Sequence, residues 1–328
     1  MGFISPTDIE ALAKVLAPYI TKTPLVTGGG ALRQLFLKRE DLQLTNSFTV
    51  RAALGILLGL SEEQKSRGMI LTTPGNLGWG LVYGLQCLNL KMRLTIVIPK
   101  DAVEAKRLGL LQALHPGISV VQDGFGELER YEIVRKIALR DGLEELQLKN
   151  RKDEVAAKGS IAIEILEQLS FVAGADHKRP LRFFCPIGSG ALAAGCAIVL
   201  KNAMGECVKI IGAEPASAND FALLFHQRTV STAAAPMSVA DSLRSPKVRD
   251  EYRSTLLALM DDVVEVSETE IIEAMQLLKE SSQIVSEPSS AISVAGYLKN
   301  PAFDGNSVAL LTASNVDTDR FQFLKSAL

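Results

Sequence analysis

The chain has 328 residues, of which 47% are hydrophobic and 22% are charged. These fractions are typical of a globular protein and exclude a disordered or low-complexity chain. Lysine and arginine number 35, aspartate and glutamate number 37, and the formal net charge is −2. Such a balance does not indicate a partner with a phosphate backbone, so we expect no nucleic-acid binding. At roughly 150 residues per domain, about two domains are expected.

Two uncharged windows, 68–90 and 183–200, are long enough to cross a bilayer. Each has a turn-forming sequence in its middle, at 72–76 and 186–190, so we predict strand, loop and buried helix rather than a membrane span.

Residues 1–19 contain acidic side chains and no continuous apolar segment, so no secretory signal is expected. The four cysteines form no CxxC pair, and the three histidines are scattered. We therefore predict a cytoplasmic protein with reduced cysteines and no histidine metal cluster.

From residue 69 onward, short β-branched segments alternate with longer helical ones. We predict strands at 69–72, 93–98, 118–122, 183–187, 208–213 and 308–312. Helices are predicted at 77–88, 103–114 and 192–203. This alternation predicts an α/β fold whose parallel sheets are covered on both faces. No linker stands out by composition, so two domains would be interwoven rather than consecutive.

A capping box predicts the start of one further helix. Ser267 is followed three residues later by Glu270, so each side chain can bond the other residue's backbone N–H. An apolar stripe at helical spacing follows, consisting of Ile271, Ala274, Met275 and Leu278. We predict a structural helix here.

The clearest candidate site is the segment Gly-Ser-Gly-Ala at 188–191, between a predicted strand and a predicted helix. Glycines let the backbone approach an anion closely, and a helix N-terminus offers unpaired N–H groups. This pattern favours a phosphate site, with an ordinary packing turn as the alternative.

Two other loops follow predicted strands, Thr-Thr-Pro-Gly-Asn-Leu-Gly at 72–78 and Thr-Ala-Ser-Asn at 312–315. Ligands of open α/β sheets bind at the carboxyl ends of strands. The three loops together predict one pocket, with three ordinary turns as the alternative.

Taken together, several segments resemble the fold type II pyridoxal-phosphate (PLP) enzymes, and most of all the branch of serine/threonine dehydratases and serine racemases. The segments cover nearly the whole chain in that family's order: Thr23-Pro24-Leu25, 37–43, 47–53, Gly75-Asn76 with Gly78, Lys106, 159–164, 188–192, Glu287-Pro288 with Ala291, and Asn315-Val316-Asp317. The resemblance implies two parallel-sheet domains with a cleft between them. The large domain would comprise 1–53 plus 147–328, and the small domain, 54–146, would be inserted into it. A small-molecule ligand would lie in the cleft, and the chain would form a homodimer.

The resemblance also exposes two departures at catalytic positions. The family's Schiff-base lysine corresponds to Thr49, and no lysine lies between Lys38 and Lys65. The serine that acts as acid and base on the opposite face of the cofactor ring corresponds to Pro74, which has no side-chain proton to give. PLP could therefore bind, but not as a lysine aldimine at position 49.

The positions that the resemblance assigns to binding are better preserved. It implies cofactor contacts from Asn76, Gly188, Ser189, Gly190, Ala191, Leu192 and Thr312. It implies substrate contacts from Thr73, Gly75, Leu77 and Asp241. Three of these positions differ from the usual pattern: Leu77 replaces histidine, Thr312 replaces serine, and Ala191 replaces a glycine of the phosphate cup.

Two further expectations concern ionic groups. Glu214, Ala218 and Asp220 match the family's spacing for a divalent cation, and oxygen ligands suit Mg²⁺ or Ca²⁺; the alternative is a surface loop with two ordinary acids. Lys158 stands where relatives often have glutamine. The alternatives for Lys158 are a solvated lysine at a helix start and a displaced Schiff-base lysine.

These observations predict a catalytically degenerate homologue of serine/threonine dehydratases. It would bind PLP non-covalently, or a phosphorylated or amino-acid-like ligand. One alternative is a lyase that acts on amino acids or their derivatives by altered chemistry, with proton transfer by Thr49, Thr73, Asp241 or Lys158. The other is an ordinary PLP-dependent serine/threonine ammonia-lyase.

Overall fold

A computed structural model describes residues 4–73, 75–100, 115–146, 152–176, 178–229, 237–245, 247–300 and 302–316. The described residues form two separate sheets. The predicted helix at 103–114 lies outside the described residues, as do Pro74, Lys106 and Asp317.

The larger sheet has six strands in the order β1-β2-β10-β7-β8-β9. Their bounds are Leu25–Thr27, Phe36–Arg39, Asn306–Leu311, Leu181–Pro186, Val208–Pro215 and Asp262–Val266 respectively. All neighbours pair in parallel except β1 with β2, which are antiparallel. β7 and β10 are buried along their whole length, as expected for central strands of a covered parallel sheet.

The smaller sheet has four parallel strands in the order β5-β4-β3-β6. They are Ile118–Gln122, Leu94–Ile98, Met69–Thr72 and Glu144–Glu145. These strands fall between β2 and β7 in the sequence, so the chain leaves the larger sheet, builds the smaller one and returns. The predicted domain limits at 53/54 and 146/147 stay predictions.

The described α-helices, in chain order, are α1 Pro6–Leu16, α2 Thr49–Leu58, α3 Glu62–Arg67, α4 Asn76–Cys87, α5 Glu127–Asp141, α6 Lys152–Leu169, α7 Ala191–Met204, α8 Asp220–Phe225, α9 Asp250–Leu259, α10 Glu268–Ser282 and α11 Pro288–Leu298. Apolar side chains from helices and strands form separate cores around the two sheets. The α/β class with parallel sheets is confirmed. Among the described residues, no helix is both long and apolar enough to cross a membrane.

The predicted capping box is present at the start of α10. Ser267 Oγ accepts from Glu270 N at 3.2 Å, and Glu270 Oε2 accepts from Ser267 N at 2.7 Å. The four apolar residues of the predicted stripe are all buried.

A buried ionic network holds the first turn of α2 in place. Its central residue is Arg51, two residues after Thr49. Arg51 is fully buried and donates to both carboxylate oxygens of Glu40, each at 2.8 Å. It also pairs with Glu164 at 2.7 Å, and Lys38 pairs with the other oxygen of Glu164 at 2.6 Å. Burial alone would raise the pKa of Glu40, but Arg51 and Lys38 hold it below its ordinary value. The four charges therefore anchor α2 to β2 and α6.

Candidate functional site

The three predicted loops all follow strands, as their sequence position requires. Residue 73 follows β3, residues 187–190 follow β7, and residues 312–315 follow β10. Because β3, β7 and β10 each run parallel to their neighbours, each loop lies at the carboxyl edge of its sheet.

The predicted phosphate cup is the N-terminus of α7. Gly190 is the N-cap residue with φ +92°, in the left-handed region that glycine adopts without strain. A Cβ added there would lie 2.9 Å from Leu256 Cδ1 and 3.0 Å from Val248 Cγ1. Among the described residues, no side chain caps this helix, so its first-turn N–H groups are available to an anion.

The mouth of the cup is accessible, whereas its base is not. Gly188 and Ser189 are half-buried, and Ala191 and Leu192 are buried. Ser189 O accepts from Arg249 N at 3.1 Å, which ties the cup to the start of α9.

Asn76, at the start of α4, bonds two residues on the side of the larger sheet, across the cleft that the resemblance implies. Its Nδ2 donates to both carboxylate oxygens of Glu287 at 3.1 Å, and its Oδ1 accepts from Asn315 Nδ2 at 2.9 Å. Asn315 N also donates to Glu287 Oε1 at 2.9 Å. We call Asn76, Glu287 and Asn315 the cross-cleft triad.

Thr312 connects Phe48 to α11 through two hydrogen bonds. Its N–H donates to Ser290 Oγ at 2.8 Å, and its carbonyl accepts from Phe48 N at 2.9 Å. The residue is only 4% exposed. This places the β10 loop next to the start of α2, and therefore next to Thr49.

Thr49 is half-buried at the first position of α2. Its Oγ1 lies 3.1 Å from Ser47 Oγ, which also accepts from Thr49 N at 3.3 Å. The side chain offers one hydroxyl and no amine.

The loop after β3 carries the other predicted substrate contacts. Thr73 is buried, and its Oγ1 accepts from Gly75 N at 3.3 Å. Gly75 is buried and Leu77 is half-buried. The N–H of Gly75 is therefore engaged within the loop.

Asp241 begins a short 3₁₀ turn, Asp241–Leu243, beside the cup. Ser242 N donates to Ser289 Oγ at 3.2 Å, and Leu243 Cδ2 lies 3.3 Å from where a Cβ on Gly188 would be. The turn therefore connects the cup to α11, two residues beyond Glu287.

Lys158 is not a solvated lysine at a helix start, so that interpretation is wrong. It lies in the interior of α6, is 7% exposed, and pairs with Glu154 at 2.6 Å. Its ammonium also lies 5.7 Å from the centroid of the Phe48 ring. Glu154 accepts from Arg249 Nη1 at 3.1 Å, so it binds two cations.

The interpretation of Glu214 as an ordinary surface acid is also wrong. Glu214 is 1% exposed, and its Oε2 accepts from Ala222 N at 2.7 Å. Burial, and then the charge of Asp220, raise the pKa of Glu214 well above its ordinary value. Asp220 Oδ2 accepts from Val248 N at 2.8 Å, and Ala218 is buried. Within the described ranges, no group of three or more His, Cys, Asp or Glu side chains could hold a metal ion.

Two polar residues near the cup were missed by the sequence analysis. Glu154 could have been found from its i,i+4 spacing to Lys158, which is typical of a helical ion pair. Arg249 has no such local signal, because its partners Ser189 and Glu154 are far away in the sequence.

Comparison with known proteins gives one family throughout. A family model described as "Pyridoxal-phosphate dependent enzyme" matches residues 16–314. The chain is 30% identical to the beta-hydroxyaspartate dehydratase of Paracoccus denitrificans, over 95% of this chain and 96% of that protein. It is 27% identical to the L-threo-3-hydroxyaspartate ammonia-lyase of Saccharomyces cerevisiae, over 98% and 97% respectively. Among solved structures, the T.th. threonine deaminase superposes with a TM-score of 0.83 at 28% identity, covering 96% of this chain and 99% of that one.

Proposed function

This chain belongs to the pyridoxal-phosphate-dependent enzyme family, and we propose that it is a catalytically degenerate member of that family. In this proposal it holds PLP non-covalently, or binds a phosphorylated or amino-acid-like ligand in the same cleft. The observation that carries the proposal is Thr49, a hydroxyl at the position that the resemblance assigns to the Schiff-base lysine.

The phosphate end of the cofactor fits the residues present. The cup offers backbone N–H groups at the uncapped N-terminus of α7, and Gly188 and Ser189 leave its mouth accessible. Arg249 N holds the Ser189 carbonyl, so the cup is preorganised. This supports binding of a phosphate monoester.

The residues present do not supply the amine that would anchor PLP covalently. An imine requires an amine, and the Thr49 side chain has only a hydroxyl, which lies 3.1 Å from Ser47 Oγ. Lys158 supplies an amine nearby, but an ion pair with Glu154 at 2.6 Å already engages that amine. We therefore derive no catalytic step through a lysine-bound cofactor.

The proton-transfer groups support the same conclusion. General acid–base catalysis requires a titratable group within reach of the substrate. The loop after β3 has Pro74 and Leu77 where the resemblance implies serine and histidine, and neither side chain can carry a proton. Catalysis of the family's kind would lack both its amine and its opposite-face acid.

Absorption spectroscopy tests the proposal. With excess PLP, we expect the protein to bind PLP that dialysis then removes. We expect no borohydride-reducible band at about 420 nm, because an imine requires a lysine. Intact-mass analysis after borohydride treatment is expected to show the unmodified chain. A reduced adduct mapped to Lys158 or to another lysine of the cleft would contradict the proposal.

A second candidate function is a working lyase with altered chemistry, and the names of the two full-length relatives favour it. It requires proton transfer by Thr49, Thr73, Asp241 or Lys158. Ammonia release from serine, threonine or 3-hydroxyaspartate, abolished by Thr49→Ala, would establish this candidate in place of the first.

We also propose that Glu214 and Asp220, with the Ala218 carbonyl and water, bind Mg²⁺ or Ca²⁺. Burial and the charge of Asp220 raise the pKa of Glu214, and burial raises the pKa of the half-buried Asp220. A divalent cation would stabilise both carboxylates in their charged form. Saturating Mg²⁺ or Ca²⁺, at a hundred times its dissociation constant, is expected to stabilise the fold by about 2.7 kcal/mol. Thermal unfolding with and without the ion measures this.

Asp220→Asn should abolish the stabilisation by the cation. The matched control is Glu206→Gln, which should leave the stabilisation intact because the Glu206 side chain is 93% exposed. An equal response of both variants would refute the site. The homodimer and the cytoplasmic location stay predictions.

A further inference from the structure

The segment that begins α9 holds the phosphate cup, and a buried carboxylate on α6 holds that segment. We propose that Glu154 is a positioning residue of the cup: it fixes Arg249, which in turn orients the backbone groups that would bind a phosphate monoester. This inference rests on the proposed function, because it takes the cup as the phosphate site.

The contact between Arg249 and the cup orients one peptide group. Arg249 N donates to Ser189 O at 3.1 Å. No peptide bond among the described residues is cis, and in a planar trans peptide the C=O and the following N–H point in opposite directions. Because the Ser189 carbonyl faces Arg249, the N–H of Gly190 points away from α9. Arg249 therefore sets the direction of one hydrogen-bond donor of the cup.

Glu154 holds the side chain of Arg249 through a bond that crosses from α6 to the start of α9. Its Oε2 accepts from Arg249 Nη1 at 3.1 Å, and its Oε1 accepts from Lys158 Nζ at 2.6 Å. Glu154 is only 3% exposed. Burial would raise the pKa of Glu154, but Lys158 and Arg249 hold it below its ordinary value. The carboxylate is therefore charged, and each of its oxygens engages one cation.

α6 is a firm base for this bond because it is in backbone contact with α7, the helix that forms the cup. A Cβ added to Gly195 on α7 would lie 2.5 Å from Val155 O on α6. A Cβ added to Gly159 on α6 would lie 2.9 Å from Gly195 O. Glu154 immediately precedes Val155, so its backbone is fixed relative to α7. The contacts from α6 through the start of α9 to the cup therefore close a ring that begins and ends at α7.

Binding of pyridoxine 5′-phosphate and of pyridoxine, measured by isothermal titration calorimetry, tests the inference. The two compounds share their ring and differ only in the phosphate, so the ratio of their dissociation constants measures the contribution of the cup. Neither compound has an aldehyde, so no lysine imine contributes to binding. We expect the native protein to bind the phosphate ester more tightly than pyridoxine.

The decisive variant combines Glu154→Met with Lys158→Met. It removes one negative and one positive charge, so the net charge beside the cup is unchanged while Arg249 loses its bond to Glu154. Because a charge-assisted hydrogen bond is lost, we expect the affinity for the phosphate ester to fall roughly tenfold. The affinity for pyridoxine should stay constant, which a general loss of stability would not produce.

Lys158→Met alone separates positioning from a simple effect of charge. It removes a positive charge but keeps the bond between Glu154 and Arg249, so we expect a smaller loss of affinity for the phosphate ester than in the double variant. An effect of charge alone would give the opposite order, because only the single variant changes the net charge.

The matched control is Glu132→Gln combined with Arg135→Gln, which removes an exposed ion pair on α5 without changing the net charge. It should leave the ratio of the two dissociation constants unchanged. Circular dichroism establishes that each variant is folded. If the double variant at 154 and 158 does not fold, Arg249→Met replaces it, because it removes the same charge as Lys158→Met and also breaks the bond to Glu154. We then expect Arg249→Met to cause the larger loss.

The outcomes separate this inference from the proposed function. A native ratio of dissociation constants in the folded double variant would overturn the role of Glu154 and leave the proposed function intact. A larger loss of phosphate affinity in Lys158→Met than in the double variant, or than in Arg249→Met, would also overturn it. If the native protein binds the phosphate ester no more tightly than pyridoxine, the proposed phosphate cup fails, and this inference fails with it.

Discussion

Arg51→Met is expected to destabilise the fold by about 3–5 kcal/mol, because it removes one partner of a buried ionic network. Arg51 and Glu40 are both fully buried, and Glu164 is nearly so. The methionine would leave the carboxylates of Glu40 and Glu164 with Lys38 as the remaining cation of this network. The loss is measured by urea denaturation at pH 7, compared with the native chain.

The same variant has a predictable pH dependence. The pKa of Glu40 is held below its ordinary value in the folded protein. Its contribution to stability is therefore present above the unfolded pKa and is lost as the pH falls through the folded pKa. The difference in stability between the native chain and Arg51→Met should shrink as the pH falls toward the folded pKa of Glu40, which lies below the ordinary pKa of glutamate.

The matched control is Arg67→Met, which breaks an exposed pair with Glu144. That pair spans 3.6 Å, and Arg67 is 51% exposed. We expect a loss of about 1 kcal/mol or less, since surface ion pairs contribute little. Equal losses for the two variants would show that the network has no special role in stability.

The strands of the fold were predictable where apolar runs are uninterrupted. The apolar segment 69–72 was predicted with the bounds that β3 has. By contrast, the prediction began β7 at 183, whereas it begins at Leu181 and includes the charged Arg182. The guanidinium of Arg182 lies 4.4 Å from the Phe303 ring centroid and 5.4 Å from that of Phe184. Phe184 lies two residues away on the same strand, but Phe303 is far away in the sequence, so its contact with Arg182 is not visible in a local pattern.

The two strands that begin the larger sheet were not predicted at all. β1 has only 3 residues and β2 has 4, so neither shows a repeating pattern. β2 contains the fully buried Lys38, whose charge argues against a central strand. Its partner Glu164 is 126 residues away, so the reason for its burial appears only in the folded structure.

The candidate site was likewise predictable only in part. Its three loops follow from the rule that ligands collect at strand carboxyl ends, and their sequences locate Gly190 and Asn76. In the cross-cleft triad, Asn76 bonds Glu287 and Asn315, which lie 211 and 239 positions away from it in the sequence. No spacing rule predicts those bonds.

Thr49→Lys is expected to bind PLP covalently and still release ammonia slowly. The new amine stands at the first position of α2, where an imine with the cofactor's aldehyde becomes chemically accessible. We expect a borohydride-reducible band at about 420 nm and an adduct that survives dialysis and maps to position 49 by mass analysis. Thr49→Met, similar in length but without an amine, serves as the control and should show no band.

Turnover in Thr49→Lys should remain low because the proton-transfer group is still absent. A positioned general acid or base contributes about 10²–10⁴-fold to the rate. Pro74 and Leu77 supply neither, so ammonia release from serine, threonine or 3-hydroxyaspartate should fall short of an intact dehydratase by a factor of that order. A rate equal to that of such an enzyme would show that the lysine alone was missing and that the loop after β3 is competent. Absence of the band in a folded Thr49→Lys protein would instead show that position 49 does not face the aldehyde, which would remove the main support for a degenerate PLP site.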